Sequence, residues 1–141
     1  MQLNKGFQDV LADINDRLGT DIAIISRVEG NDYMVVQVAS TLGTIQPKDR
    51  FITCDTYCYE VIKHRETVAH NEVGKIRPMV LHPVYTAMQL EAYIGTPLIV
   101  AHQLFGTLNF SGFEVKTPGF GKAEFELVEA LAADIEKSIV M

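Results

Sequence analysis

Apolar residues at the start of the chain recur every three or four positions, at Leu3, Phe7, Val10, Leu11, Ile14 and Leu18. That is the period of a helix with one buried stripe. Gly19 follows directly and supplies the kind of stop on which helices commonly end. The pattern then changes. Residues 21–28 and 33–39 are rich in Ile and Val, and the stretch between them, Glu29-Gly30-Asn31-Asp32, has turn chemistry, so the two runs predict an antiparallel hairpin. Helical spacing returns with Tyr57, Cys58, Val61 and Ile62. It predicts a short helix over 54–64 that Thr53 or Asp55 could cap.

Residues 67–70 are a brief strand candidate. The next stretch, 71–82, has no clear period and contains Pro78, with Pro83 just beyond it, which predicts a loop. One or two helical turns over 84–92 are expected behind the second proline. Residues 93–101 and 107–113 are apolar runs of strand length, with His102-Gln103-Leu104-Phe105-Gly106 as the hairpin connection between them. After the breaker Thr117-Pro118-Gly119-Phe120-Gly121, the residues Leu127, Val128, Leu131, Ala132, Ile135 and Ile139 fall in helical register. They predict a long closing helix over 124–141. One sheet with helices able to cover its faces is an α+β fold, and 141 residues suit a single domain spanning 1–141.

Composition narrows the function classes. A 48% hydrophobic and 21% charged chain is an ordinary globular one. The longest strongly apolar run, Pro97-Leu98-Ile99-Val100-Ala101, is far short of the roughly 20 residues of a membrane-spanning helix. The first residues do not read as a secretion signal, so no membrane partner and a cytoplasmic location are expected. A net charge of -6 with scattered basic residues argues against nucleic acid. Two cysteines, Cys54 and Cys58, are too few for a disulfide framework.

Four stretches carry a family resemblance. Phe51-Ile52-Thr53-Cys54-Asp55-Thr56-Tyr57-Cys58 looks like an entry into a second helix, and Ala92-Tyr93-Ile94-Gly95-Thr96-Pro97-Leu98 is similar to a "YxGxPL" strand. Phe105-Gly106-Thr107-Leu108-Asn109-Phe110 resembles a "GTL" strand, and residues 127–139 resemble an "LxxLAxxI" closing helix. In this order they resemble GAF domains, small-ligand sensory modules of bacterial signalling proteins. The resemblance implies a curved antiparallel sheet, with a ligand pocket on one face under an irregular loop and the terminal helices on the other face.

Candidate site residues follow from both lines. Phe51, Thr53, Cys54, Asp55, Tyr57 and Cys58 belong to a helix start whose free backbone N–H groups could face an anion or a carboxylate, or could simply be capped. Cys54 and Cys58, four apart on one expected helical face, permit redox chemistry or are two buried apolar side chains. His70 and Asn71 sit at a junction that borders the pocket in the resembled fold, and Met79 lies in the loop that would roof it. Tyr93 and Asn109 fall on central strands, where a buried polar group needs a partner. None of the four histidines shows a metal spacing, so no metal site is expected.

Catalytic signatures such as a Gly-rich phosphate loop or H-E-x-x-H are absent from the sequence, so a non-enzymatic domain is expected. Some members of the resembled family are free methionine-R-sulfoxide reductases, which is the enzymatic alternative; a ligand-free dimerisation module is another. The residues specify no cofactor: no Cys follows position 58 to hold a bilin as light-sensing relatives do, and the "NKFDE" signature of cyclic-nucleotide relatives is missing. The expected partners are an unidentified small molecule, a signalling output domain, and a second copy packed through the first and last helices.

Overall fold

On the strand Gln103–Gly112 the side chains of Phe105, Leu108 and Phe110 face one side of a sheet, while Thr107, Asn109 and Ser111 face the other. The computed structural model describes residues 1–41, 43, 45–75 and 88–140. In chain order these form β1 (Gln2–Leu3), α1 (Gln8–Leu18), β2 (Ile22–Glu29), β3 (Asp32–Ser40), β4 (Arg50–Ile52), a 3-10 turn (Thr53–Asp55), α2 (Cys58–His64) and β5 (Val68–His70). A second 3-10 turn (Val73–Lys75), β6 (Ala92–Val100), β7 (Gln103–Gly112), α3 (Lys122–Lys137) and β8 (Ile139–Val140) follow. Strands β4-β3-β2-β7-β6-β5 make one antiparallel sheet in that order, and β1 pairs with β8. The α+β expectation holds.

The alternation of β-strand side chains sorts the core into two layers. Ala23, Ile25, Ile94, Leu98, Leu108 and Phe110 point to the helices, where Phe7, Leu11, Ile14 and Leu18 of the α1 region and Val128, Leu131 and Ile135 of α3 meet them. Each such fully buried side chain is worth about 1.5–3 kcal/mol against exposure. Ile22, Ile24, Tyr33, Val35 and Tyr93 point the other way, onto Tyr57, Cys58 and Val61. Among the described residues no helix is long and apolar enough to cross a membrane.

Several sequence expectations need correction. Leu3 is not on the first helix: it pairs with Ile139, which likewise lies on a strand because α3 ends at Lys137. Of the α1 stripe, Val10 faces outward and is exposed. Leu11, Ile14, Leu18, Leu131, Ile135 and Ile139 are buried in the chain's own core. The β6–β7 connection is two residues, Ala101 and His102, both at positive φ (52° and 66°), the geometry of a tight turn matched to strand twist. Gln103, Leu104, Phe105 and Gly106 therefore belong to β7. The second 3-10 turn falls in the stretch expected to be loop. The helical turns expected over 84–92 lie mostly outside the described residues, and Ala92 already starts β6.

At Gly106 of β7, next to β2, an added Cβ would lie 1.8 Å from the Ser26 carbonyl oxygen. Backbone on a buried strand cannot yield cheaply. Gly106→Ala is expected to destabilise the protein by about 2–4 kcal/mol in chemical denaturation. Gly6→Ala, with open space around it, is expected to change stability by less than about 0.5 kcal/mol; equal losses in both would contradict the packing described.

Candidate functional site

The predicted helix over 54–64 is interrupted. Residues Thr53–Asp55 form a 3-10 turn, Thr56 is extended (φ -112°, ψ 158°), and α2 starts only at Cys58. Cys54 and Cys58 therefore do not share a helical face: Cys54 is exposed and Cys58 is buried. Three backbone donors of this segment are engaged within the protein. The Cys54 N–H donates to Asn31 Oδ1 (3.2 Å), the Thr53 N–H to the Asn31 carbonyl (2.9 Å), and the Thr56 N–H to the Thr53 carbonyl (3.0 Å). The hairpin tip between β2 and β3 thus takes up the Thr53 and Cys54 N–H groups.

Cys58 instead is the centre of a buried polar cluster. Its Sγ receives Asn109 Nδ2 at 2.7 Å, the Tyr93 hydroxyl at 3.2 Å and the Thr107 hydroxyl at 3.4 Å, and its thiol points to the Tyr33 hydroxyl at 3.8 Å. Asn109 Nδ2 also donates to the Tyr33 oxygen (3.0 Å), and Ser26 Oγ lies 2.7 Å from Thr107 Oγ1. Buried polar groups cost roughly 1–3 kcal/mol each when unpaired, so these bonds are what makes a polar strand face tolerable here. Gly95 is the device that seats Tyr93. It pairs with Asn109 in register, and a Cβ on it would lie 2.2 Å from the Tyr93 hydroxyl.

Next to the cluster lies a cavity of about 90 Å³. Its floor is sheet: Ile22 and Ile24 of β2, Tyr93 of β6, and Asn109 and Ser111 of β7, which are neighbours in register. Phe51, Tyr57, Met88 and Leu90 contribute to its walls, and no charged side chain lines it among the described residues. Tyr57 is fixed by donating its hydroxyl to the Leu90 carbonyl (2.9 Å).

Of the residues singled out from sequence, Phe51, Tyr57, Cys58, Tyr93 and Asn109 come together at this cavity. Thr53, Cys54, His70 and Asn71 are not part of its lining. Thr53 is buried with a hydroxyl that makes no hydrogen bond, and Asp55 closes the 3-10 turn. His70 stacks beside Tyr57 and Tyr93, with ring centroids 6.4 and 6.2 Å away. Asn71 ties down another segment: its Oδ1 accepts the Phe120 N–H and its carbonyl the Lys116 N–H, both at 2.9 Å. Met79 lies outside the described residues. Sequence reasoning missed Tyr33, Thr107 and Ser111, although polar residues at every second position of an otherwise apolar strand were the available signal. Among the described residues no three His, Cys, Asp or Glu side chains gather as metal ligands.

Burial holds the Tyr33 and Tyr93 hydroxyls well above the usual 10.0, and the electrostatic influence of Cys58 adds to it. A tyrosine whose folded value is raised contributes full stability below the unfolded value near 10 and loses it as pH rises further. Stability is therefore expected to fall above about pH 10, and less steeply in Tyr93→Phe. In spectrophotometric titration of the five tyrosines, Tyr33 and Tyr93 are expected to ionise only on unfolding; all five ionising together in the folded protein would contradict the burial described.

The GAF domain model matches residues 2–139. Similar solved structures include the GAF domain of an Acinetobacter phosphoenolpyruvate-protein phosphotransferase, with a TM-score of 0.74 and 12% identity over 94% of this chain and 78% of that one. A phycoerythrobilin-bound GAF domain from a cyanobacterial phytochrome has a TM-score of 0.73 and 15% identity over 94% of this chain and 82% of that one. The free methionine-R-sulfoxide reductase of Neisseria meningitidis, in complex with its substrate, has a TM-score of 0.72 and 14% identity over 94% and 74% of the two chains. No curated protein matches the chain in sequence. At these identities the structural likeness is one of fold, and the family match over almost the whole length settles membership: the chain belongs to the GAF domain family.

Proposed function

We propose that this chain is a sensory domain that binds a small molecule in the cavity on β2, β6 and β7 and passes its occupancy to the terminal helices. The observation that carries the reading is the cavity itself: an apolar-walled space on the middle strands, set beside a hydrogen-bonded polar cluster, which is how small-ligand sites are commonly built. The neighbours with bound bilin or substrate are consistent with ligand binding on this fold, and the identity of the ligand here is a separate matter.

A route to the helices supports the sensory part. His70 touches the cavity wall residues Tyr57 and Tyr93, and the next residue, Asn71, holds residues 116 and 120. From that segment Lys116 Nζ donates to the Leu18 carbonyl at the end of α1 (2.9 Å), and the Gly121 N–H at the start of α3 donates to Glu124 (3.2 Å). One loop is thus fastened to the site, to α1 and to α3. A ligand biases such a connection only through its different affinity for two states of it. The same reading places a second copy and an output domain at the outer sides of α1 and α3, where Val10 is exposed.

One observation favours a second reading, a cysteine-dependent reductase of free methionine sulfoxide: Cys58 lines the cavity. The chemistry leaves a sulfenic acid on the attacking sulfur and needs a second thiol to release it. Cys54, the other cysteine, is exposed and outside the lining. We therefore expect no methionine sulfoxide turnover with thioredoxin.

Native mass spectrometry and a thermal-shift panel test the main reading. At least one small molecule is expected to bind and to slow amide exchange over 113–121 and the first turn of α3. In Asn71→Ala, binding is expected to persist while the protection of α3 is lost. Failure of every compound in a broad panel to bind would contradict the proposal, as would thioredoxin-dependent turnover abolished by Cys58→Ser.

A further inference from the structure

Two polar atoms at the cavity floor are left over from the network. Asn109 spends both hydrogen bonds of its amide nitrogen on Tyr33 and Cys58, and its carbonyl oxygen has no partner among the described residues. Ser111, 7% exposed, makes no side-chain hydrogen bond among them either, although its backbone carbonyl is used by Asp21. Both residues line the cavity and both sit on the pocket face of β7. Neither oxygen is sealed away from the cavity, so each is completed by water or by a molecule that enters the cavity.

We infer that the cavity takes a compact, uncharged, mostly apolar molecule with one hydroxyl, a single-ring phenol or a comparably small alcohol, whose O–H donates to Asn109 Oδ1 while its oxygen accepts from Ser111 Oγ. This rests on the small-ligand reading above and names its ligand class. One hydroxyl is both donor and acceptor and satisfies both atoms at once. A ketone accepts from Ser111 but leaves the Asn109 oxygen unpaired. A carboxylate sets negative charge against that oxygen, with no cation among the described lining residues to offset it. Size points the same way. An apolar cavity of about 150 Å³ holds benzene, so one of about 90 Å³ that is open on one side takes at most a single ring, part of it lying at the mouth. The raised Tyr33 and Tyr93 keep the neighbouring wall neutral across the physiological range.

The test titrates the protein with phenol, toluene and benzoate, following amide and Asn side-chain resonances. Toluene matches phenol in shape without the hydroxyl, and benzoate carries the charge. Phenol is expected to bind saturably and at least about fivefold more tightly than toluene, the effect of one net hydrogen bond, with benzoate weakest. Ser111→Ala, a deletion of one oxygen, is expected to remove most of that preference and leave toluene unchanged. Toluene equal to phenol overturns the hydroxyl assignment, and benzoate binding best overturns neutrality; in both cases a small molecule still binds and the sensory reading stands. Silence from all three overturns the class, and the broad panel above then decides separately whether the site binds anything.

Discussion

A central strand covered on both faces must place every side chain in the interior, and β7 places three polar ones there. Thr107, Asn109 and Ser111 alternate with Leu108 and Phe110, and all five are buried. The apolar set is ordinary and meets α1 and α3. The polar set has no water to return to, so its hydrogen bonds have to be found in the protein. Ser26 and Cys58 serve Thr107, while Tyr33 and Cys58 serve the Asn109 amide. Other features of this face follow from that need. Gly95 carries no side chain so that the Tyr93 ring can lie across it, and the extended Thr56 breaks the helix so that Cys58 opens α2 against the sheet.

The helix side answers a simpler demand. Its apolar stripes fit the alternate face of the same strands, and β1 pairs with β8 to bring the first and last described segments together. The two sides are linked by side chains that belong to neither core. Asn71 and Lys116 lace residues 113–121 to β5 and to the end of α1. Gly119 fits this lacing because a Cβ there would meet Asn71 Nδ2 at 2.4 Å.

The periodic parts of the sequence were legible. The stripe of Leu11, Ile14 and Leu18, the β2–β3 hairpin, and the run from Val128 to Ile135 are where the spacing puts them, because burial of one face dictates the period. Boundaries were less legible. Leu3 and Ile139 continue the helical spacing by coincidence and are taken by strand pairing, and Ala101-His102 makes a tight turn without the glycine or asparagine that usually announces one. The site was half legible. Asn109 and Tyr93 stood out as polar groups on apolar strands, but Tyr33, remote in sequence, could be joined to them only by the sheet order β3-β2-β7. The helix-start reading of Cys54 failed because the competing partner, Asn31, comes from a turn over 20 residues earlier, an interaction that local pattern cannot reveal.

The central claim is that Asn109 and Cys58 stabilise each other as members of one buried network. A double-mutant cycle on Asn109→Ala and Cys58→Ala, read by reversible chemical denaturation, measures that coupling apart from the cavities each change creates. We expect each single variant to lose about 1–3 kcal/mol and the pair to be coupled by about 1 kcal/mol or more, with the double variant losing less than the sum. Strict additivity would show that the two side chains are merely neighbours and that the polar face of β7 is satisfied in some other way.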